Sequence, residues 1–212
     1  AEKPEIAVKG VLLRKYGQEL IEALGGKKVH PNGAIPGGVN KALSHAERDR
    51  FLQQIDRVIS DMVYALDLAK GYYAQHKSEA TNFAVFQSCY MGLVGQNGNL
   101  ELYDGKLRMR DSKGSILEDK VEPKDYLSII AERVEDWSYL KFPYYRKLGW
   151  PKGTYRVGPL GRLNVVDKIN TPMANEEFKL FKKINDGKPV EGSLYYHYAR
   201  LIEAVYALER IG

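Results

Sequence analysis

Four histidines, His30, His45, His76 and His197, and one cysteine, Cys89, are the side chains best suited to metal or nucleophilic chemistry. None of the histidines stands in an H-E-x-x-H frame, and a lone cysteine forms no C-x-x-C pair. Neither pattern that gathers metal ligands on one short segment is therefore present. A G-x-S-x-G elbow and a phosphate-cradling G-x-x-x-x-G-K-S/T loop are both missing. Gly92, Gly95 and Gly98 flank an apolar run, without the spacing of a dinucleotide fingerprint. Cys89 lies within Phe83–Tyr90 and reads as a buried small hydrophobe, not a nucleophile. His45 and His76 are expected to face water, and His197, between Tyr196 and Tyr198, to serve structure. No carboxylate pair stands out from the surface background. These residues taken alone disclose no activity.

The elements that would position them are mostly helical. Pro4 suits a first helical turn, Leu13, Tyr16, Leu20 and Leu24 recur at helical spacing, and Gly25 is placed to end the helix. A Gly- and Pro-rich loop follows over Gly25–Gly38. Ser44 and Glu47 form an S-x-x-E capping box. From there Phe51, Ile55, Val58, Ile59, Met62, Leu66 and Tyr73 predict one amphipathic helix of about seven turns. Alternation at Leu100, Leu102, Leu107 and Met109, with turns at Asp104-Gly105 and Asp111–Gly114, predicts a three-stranded antiparallel meander over 99–118. Tyr126, Ile130, Val134 and Trp137 predict a helix from Pro123. The aromatic stretch 138–170 reads as irregular, and helices resume near Thr171-Pro172 and from Ser193. The fold class is mainly α with a small antiparallel β meander (α+β), residues 1–212 forming a single region. The helix from Ser44 and the last helix are expected to pack along each other.

The chain has 212 residues, 44% of them hydrophobic, which is ample for a core. One cysteine excludes an internal disulfide framework and a cysteine-only metal cage. No run approaches the ~18 apolar residues of a membrane span, and no segment reads as a signal peptide. A soluble, reducing, cytoplasmic setting is the expectation. The net charge of +5 arises from 32 basic and 27 acidic residues that interleave. The densest basic clusters, Lys27-Lys28 and Lys179 with Lys182-Lys183, read as solvated surface. A basic, Tyr-rich module stacking on nucleic acid is a weaker alternative, because the tyrosines recur at core spacing.

The glycine loop, Gly25-Gly26 through His30-Pro31 to Pro36-Gly37-Gly38, resembles a signature of nickel–iron hydrogenase large subunits. The resemblance continues in Asn97–Arg108, Trp137–Tyr145, Tyr155–Asn164 and Tyr195–Glu203, so five ordered blocks span almost the whole chain. They look most like the cytoplasmic bidirectional type that couples hydrogen to NAD. The type serving heterodisulfide reduction is less close. Gly161 stands where the family usually has alanine. The resemblance implies a fold of long packed helices and a parent reaction of reversible hydrogen oxidation, with electrons passed through iron–sulfur clusters. It also implies a nickel–iron centre held by two C-x-x-C pairs, whose soft thiolates suit those metals. This chain contains neither pair, nor the family's C-terminal histidine and arginine-bearing loop. It therefore looks like a central region, beginning after the first motif and ending before the second, with no cofactor bound by itself. A start at Ala1 without methionine and an end straight after a helical pattern fit that expectation.

Further implications concern single residues. His30, Pro31, Gly37 and Gly38 are expected near the proximal iron–sulfur cluster of the small subunit, where an imidazole donor would tune the potential. Arg162 is expected as a buried ion-pair partner. Arg200 and Glu203 are expected as an i,i+3 pair on the last helix. The partner is the small subunit, with self-association of an isolated chain through uncovered apolar faces. No residue is assigned as a direct catalyst. A non-catalytic, hydrogenase-descended subunit of an electron-transfer complex is the main alternative.

Overall fold

The computed structural model describes residues 3–212. Ala1 and Glu2, with which the unusual start was read, lie outside the described residues. The chain divides into two compact units, one reaching to Ala69 and including Ala207–Gly212, the other Lys70–Tyr206. The class is α+β, as expected.

The first unit is helical. Helix α1 (Pro4–Gly25) has proline in its first turn and ends at Gly26, not Gly25. Gly26 takes the left-handed conformation at φ 81°, and its N–H donates to the Glu22 carbonyl. A small hairpin of β1 (Ala34–Ile35) and β2 (Gly38–Val39) follows. Helix α2 (His45–Leu52) opens with the capping box, Ser44 and Glu47 each satisfying the other's backbone amide. The predicted seven-turn helix is interrupted here, and α3 spans Ile55–Gln75. The Gln54 side chain donates to the Arg50 carbonyl, while its backbone N–H turns to Phe51. That exchange replaces the regular i→i−4 bond and breaks the helix. Tyr16, Ala23, Phe51, Ile55, Val58 and Leu208 form the core of this unit.

The second unit is built on a four-stranded sheet. It begins with a short helix α4 (Lys77–Asn82) and strand β3 (Cys89–Val94). Strands β4 (Lys106–Arg110) and β5 (Ile116–Val121) are the last two members of the predicted meander. The first member is displaced: β3, not 99–103, pairs with β4, from Tyr90↔Arg110 to Val94↔Lys106. The apolar alternation at Leu100 and Leu102 misled because Leu100 is buried through a single bridge to Val94, outside any strand. Gly105 is likewise no hairpin residue; a Cβ there would lie 2.8 Å from Leu93 Cβ, so it allows a close approach.

The predicted helix beyond Pro123 is a short 3₁₀ turn, Pro123–Ser128, followed by a hairpin of β6 (Ile130–Glu135) and β7 (Ser138–Tyr145). Ile130 and Val134 stand four apart, a spacing that a strand of period two shares with a helix. Their β-branched character decides for the strand. The stretch read as irregular therefore holds β7, β8 (Tyr155–Arg156) and helix α5 (Gly158–Val165). Helices α6 (Pro172–Lys183) and α7 (Tyr195–Ile211) complete the chain. In this unit Tyr73 of α3 stacks on Tyr195 of α7 at 5.3 Å between ring centres. In the first unit Ile55 of α3 shares a core with Leu208 of α7. Each unit thus contains its own α3–α7 packing.

Candidate functional site

The sequence singled out two places, and they differ in construction. The first is the loop after α1. A Cβ on Gly25 would lie 2.3 Å from Pro31 Cβ, and one on Gly33 would lie 2.7 Å from the Leu24 carbonyl oxygen. These glycines let the chain fold back onto the helix end. Backbone bonds hold the return: the Asn32 N–H donates to the Gly25 carbonyl at 3.1 Å, and the Asn40 N–H to the Gly33 carbonyl at 2.6 Å. His30 is left-handed at φ 49° and exposed, as are Pro31, Gly37 and Gly38. Val29, Ile35 and Val39 are exposed beside them. The four expected residues share this loop, and their side chains hold nothing in place.

The second place is α5 with the sheet beneath it. Gly92 of β3 brings α5 close: a Cβ there would sit 3.0 Å from both Arg162 Cγ and Val165 Cγ2. Gly161 faces the Arg156 carbonyl oxygen, which a Cβ would approach to 2.7 Å, and this is the local packing behind a glycine there. Arg162 donates to Glu203 of α7 through Nε at 2.6 Å and Nη2 at 2.7 Å. That fork fits a carboxylate in two bonds. The pairing keeps the Arg162 guanidinium protonated, against the opposing effect of burial. Glu203 is therefore spent on Arg162 and not on Arg200, which is exposed. Asn164 is fully buried and exchanges two 2.9 Å hydrogen bonds with the backbone of Val190.

A third cluster was not read from the sequence. Arg108, 7% exposed, donates to Asp119 at 2.8 Å, to Asp167 at 2.8 Å and to the Val165 carbonyl at 3.3 Å. Arg110 also pairs with Asp167. Burial is the largest influence on Arg108, yet its two carboxylates raise its pKa in net. Lys182, read as solvated surface, is half-buried instead; burial and the nearby Arg110 lower its pKa. The only sequence signal was the Arg108-x-Arg110 alternation, which places both on one face of β4. Asp119 lies on the neighbouring strand β5 and Asp167 lies 59 residues away, so no helical or strand period announces either.

The other histidines, Cys89 and one further arginine stand apart from these places. Arg156 is buried, donates to the carbonyls of Ala84 and Glu191, and lies 4.0 Å from the centre of the Phe86 ring. His45 and His197 are exposed, and His76 pairs with Glu79 at 2.7 Å while stacking on Tyr72. Cys89 is 3% exposed, and burial pushes its thiol pKa up, away from thiolate chemistry. Among the described residues, no three His, Cys, Asp or Glu side chains come together to hold a metal ion. A nickel–iron centre, which asks for several thiolates, does not fit the donors present in this chain. Among the described residues, no helix is long and apolar enough to cross a membrane.

Comparison with known proteins bears directly on this architecture. No family model matches the chain. It is 42% identical over 209 residues to a vhu subunit of the F420-non-reducing hydrogenase of Methanocaldococcus jannaschii, covering 98% of this chain and 49% of that protein. It is 40% identical over 212 residues to the beta chain of the NAD-reducing hydrogenase HoxS of Cupriavidus necator, covering 97% of this chain and 43% of that protein. An NAD⁺-reducing NiFe-hydrogenase structure in the H₂-reduced state superposes with a TM-score of 0.93 at 39% identity, over 100% of this chain and 47% of that one. A Dm. baculatum NiFeSe-hydrogenase shares the fold, with a TM-score of 0.68 at 15% identity, over 98% of this chain and 47% of that one. The chain spans about half the length of the curated relatives it matches. Over that half it is homologous to hydrogenase subunits and has their α+β fold.

Proposed function

We propose that this chain is the central region of a nickel–iron hydrogenase large subunit that works in the cytoplasm beside an iron–sulfur small subunit. The parent reaction is reversible hydrogen oxidation, with NAD as the final acceptor. The observation that carries this reading is the superposition along the entire chain on an NAD⁺-reducing NiFe-hydrogenase, at a TM-score of 0.93 and 39% identity. The nickel–iron centre, when bound by other segments, supplies the chemistry at hydrogen. This chain's residues position and support.

The loop around His30 is the face offered to the small subunit. Its support is the exposure of His30 itself together with the uncovered apolar side chains of Val29, Ile35 and Val39. An imidazole N–H beside a cluster would set its potential by hydrogen bonding. Arg162 and Glu203 clamp α5 to α7 and fix the Gly158–Asn164 segment that would lie against the metal-bearing part. By this reading the chain alone turns over no hydrogen, because its donors do not fit the metals.

The test joins metal analysis with turnover. The isolated chain is expected to bind no stoichiometric nickel, while the complete protein assembled with its iron–sulfur partner reduces NAD under hydrogen. Stoichiometric nickel on the isolated chain would overturn the missing-ligand reading. A fully assembled complex inert toward hydrogen would favour a non-catalytic descendant.

A further inference from the structure

The sequence contains the dipeptide Asn-Gly twice, at Asn32-Gly33 and at Asn97-Gly98. Both asparagines are exposed. In an unfolded chain the two would behave alike, because glycine after asparagine leaves its amide nitrogen sterically open to the asparagine side chain. The fold separates them.

Gly98 is buried, and its N–H donates to the Gly95 carbonyl at 3.3 Å. Its own carbonyl accepts from the N–H groups of Asp167 at 2.9 Å and Lys168 at 3.4 Å. The residue is wedged so tightly that a Cβ would lie 2.2 Å from Asp167 Oδ2. Asn97 is held left-handed, at φ 60° and ψ 23°. Rotating the Gly98 nitrogen toward the Asn97 side chain would break all of these contacts. At the other site the Asn32 N–H is anchored on the Gly25 carbonyl, but no acceptor takes the Gly33 N–H among the described residues. Gly33 donates nothing and only its carbonyl is engaged, by Asn40.

We infer that Asn32 is a site of spontaneous deamidation in this protein and that the fold protects Asn97. The Gly33 amide nitrogen attacks Asn32 Cγ. A new N–Cγ bond closes a five-membered succinimide, the bond from Cγ to the side-chain nitrogen breaks, and that nitrogen leaves as ammonia carrying the Gly33 proton. Water then opens the ring to aspartate or isoaspartate, with no change of oxidation state. The product places a carboxylate two residues from His30 in the sequence. In its isoaspartate form the product also inserts one backbone carbon between Pro31 and Gly33. The inference rests on the unengaged Gly33 N–H of the purified chain and not on the proposed docking of the loop.

The experiment ages the purified protein at mildly alkaline pH, folded and in denaturant, and follows both asparagines by peptide mapping, with circular dichroism to verify folding. In the folded protein Asn32 is expected to convert at least about tenfold faster than Asn97, and in denaturant the two rates are expected to converge within about twofold. Replacement by N32Q is expected to abolish the early product. Conversion of Asn97 as fast as Asn32 while the protein remains folded would overturn the inference. So would an Asn32 that stays intact in the folded protein yet converts in denaturant.

Discussion

Around α5 the chain is held by side chains. Arg162 with Glu203, Arg108 with Asp167, and Asn164 with Val190 join segments far apart in sequence. In the loop after α1 the chain is held by backbone: two amide–carbonyl bonds and two glycines pressed against a helix end. The His30 side chain is exposed, and so are Val29, Ile35 and Val39. The contrast teaches how function can be separated from folding. Where side chains are consumed by structure, their chemistry is already committed. Where glycine and backbone make the shape, as at His30, the imidazole stays exposed.

The comparison can be broken from either side. The largest loss is expected for Gly98→Ala, which drives a Cβ to 2.2 Å from Asp167 Oδ2 at a residue with φ +79°. About 3 kcal/mol is expected from the combined strain and crowding, read from the midpoint of urea unfolding. An unchanged midpoint would mean that Asp167 moves freely and that the Arg108 cluster holds little. Next comes Glu203→Ala, which leaves Arg162 without its carboxylate. Because Arg162 is partly solvated, about 2 kcal/mol is expected, less than for a fully buried pair. A double-mutant cycle with Arg162→Ala would measure the coupling, and additivity of the two losses would dismiss the clamp.

Gly33→Ala probes the other region. Its Cβ would lie 2.7 Å from the Leu24 carbonyl, so the loop must lift off the helix end. About 1–2 kcal/mol is expected, within the usual range for point changes. The smallest effect is expected for His30→Ala, within about 0.5 kcal/mol, because the imidazole is exposed. If the proposed docking of this loop holds, the same substitution weakens association with an iron–sulfur small subunit, measurable by pull-down of the two purified chains. A large stability loss at His30 would erase the contrast between the regions.

Local signals were legible. The Ser44–Glu47 box, Pro4 and the Asp111–Gly114 turn act through neighbours a few residues away, and the sequence pattern finds them directly. The buried state of Cys89 followed from its apolar flanks. The β6–β7 hairpin was misread because four-residue spacing belongs to both periodicities. The exchange of Glu203 from Arg200 to Arg162 was invisible for another reason. Its i,i+3 neighbour is visible in the sequence, whereas the actual partner lies 41 residues away and reaches it only through tertiary packing. The same holds for Arg108 with Asp167, 59 residues apart. At the candidate loop the exposure of His30 needed the structure, since a glycine-rich sequence fixes no direction for its side chains.

Arg156 has a meaning for the order of events as the chain folds. Its guanidinium reaches the Ala84 carbonyl across 72 residues and the Glu191 carbonyl across 35, with the Phe86 ring lying against it. A contact of that span closes only after the intervening chain has collapsed, because loop closure must precede the gain it brings. We predict that it forms after the rate-limiting step, so that Arg156→Ala speeds unfolding and leaves the folding rate nearly unchanged, as read from the two arms of a chevron. Such late contacts govern how slowly a protein comes apart while leaving its folding speed almost untouched. Arg156 is in that sense a latch on the lifetime of the folded state.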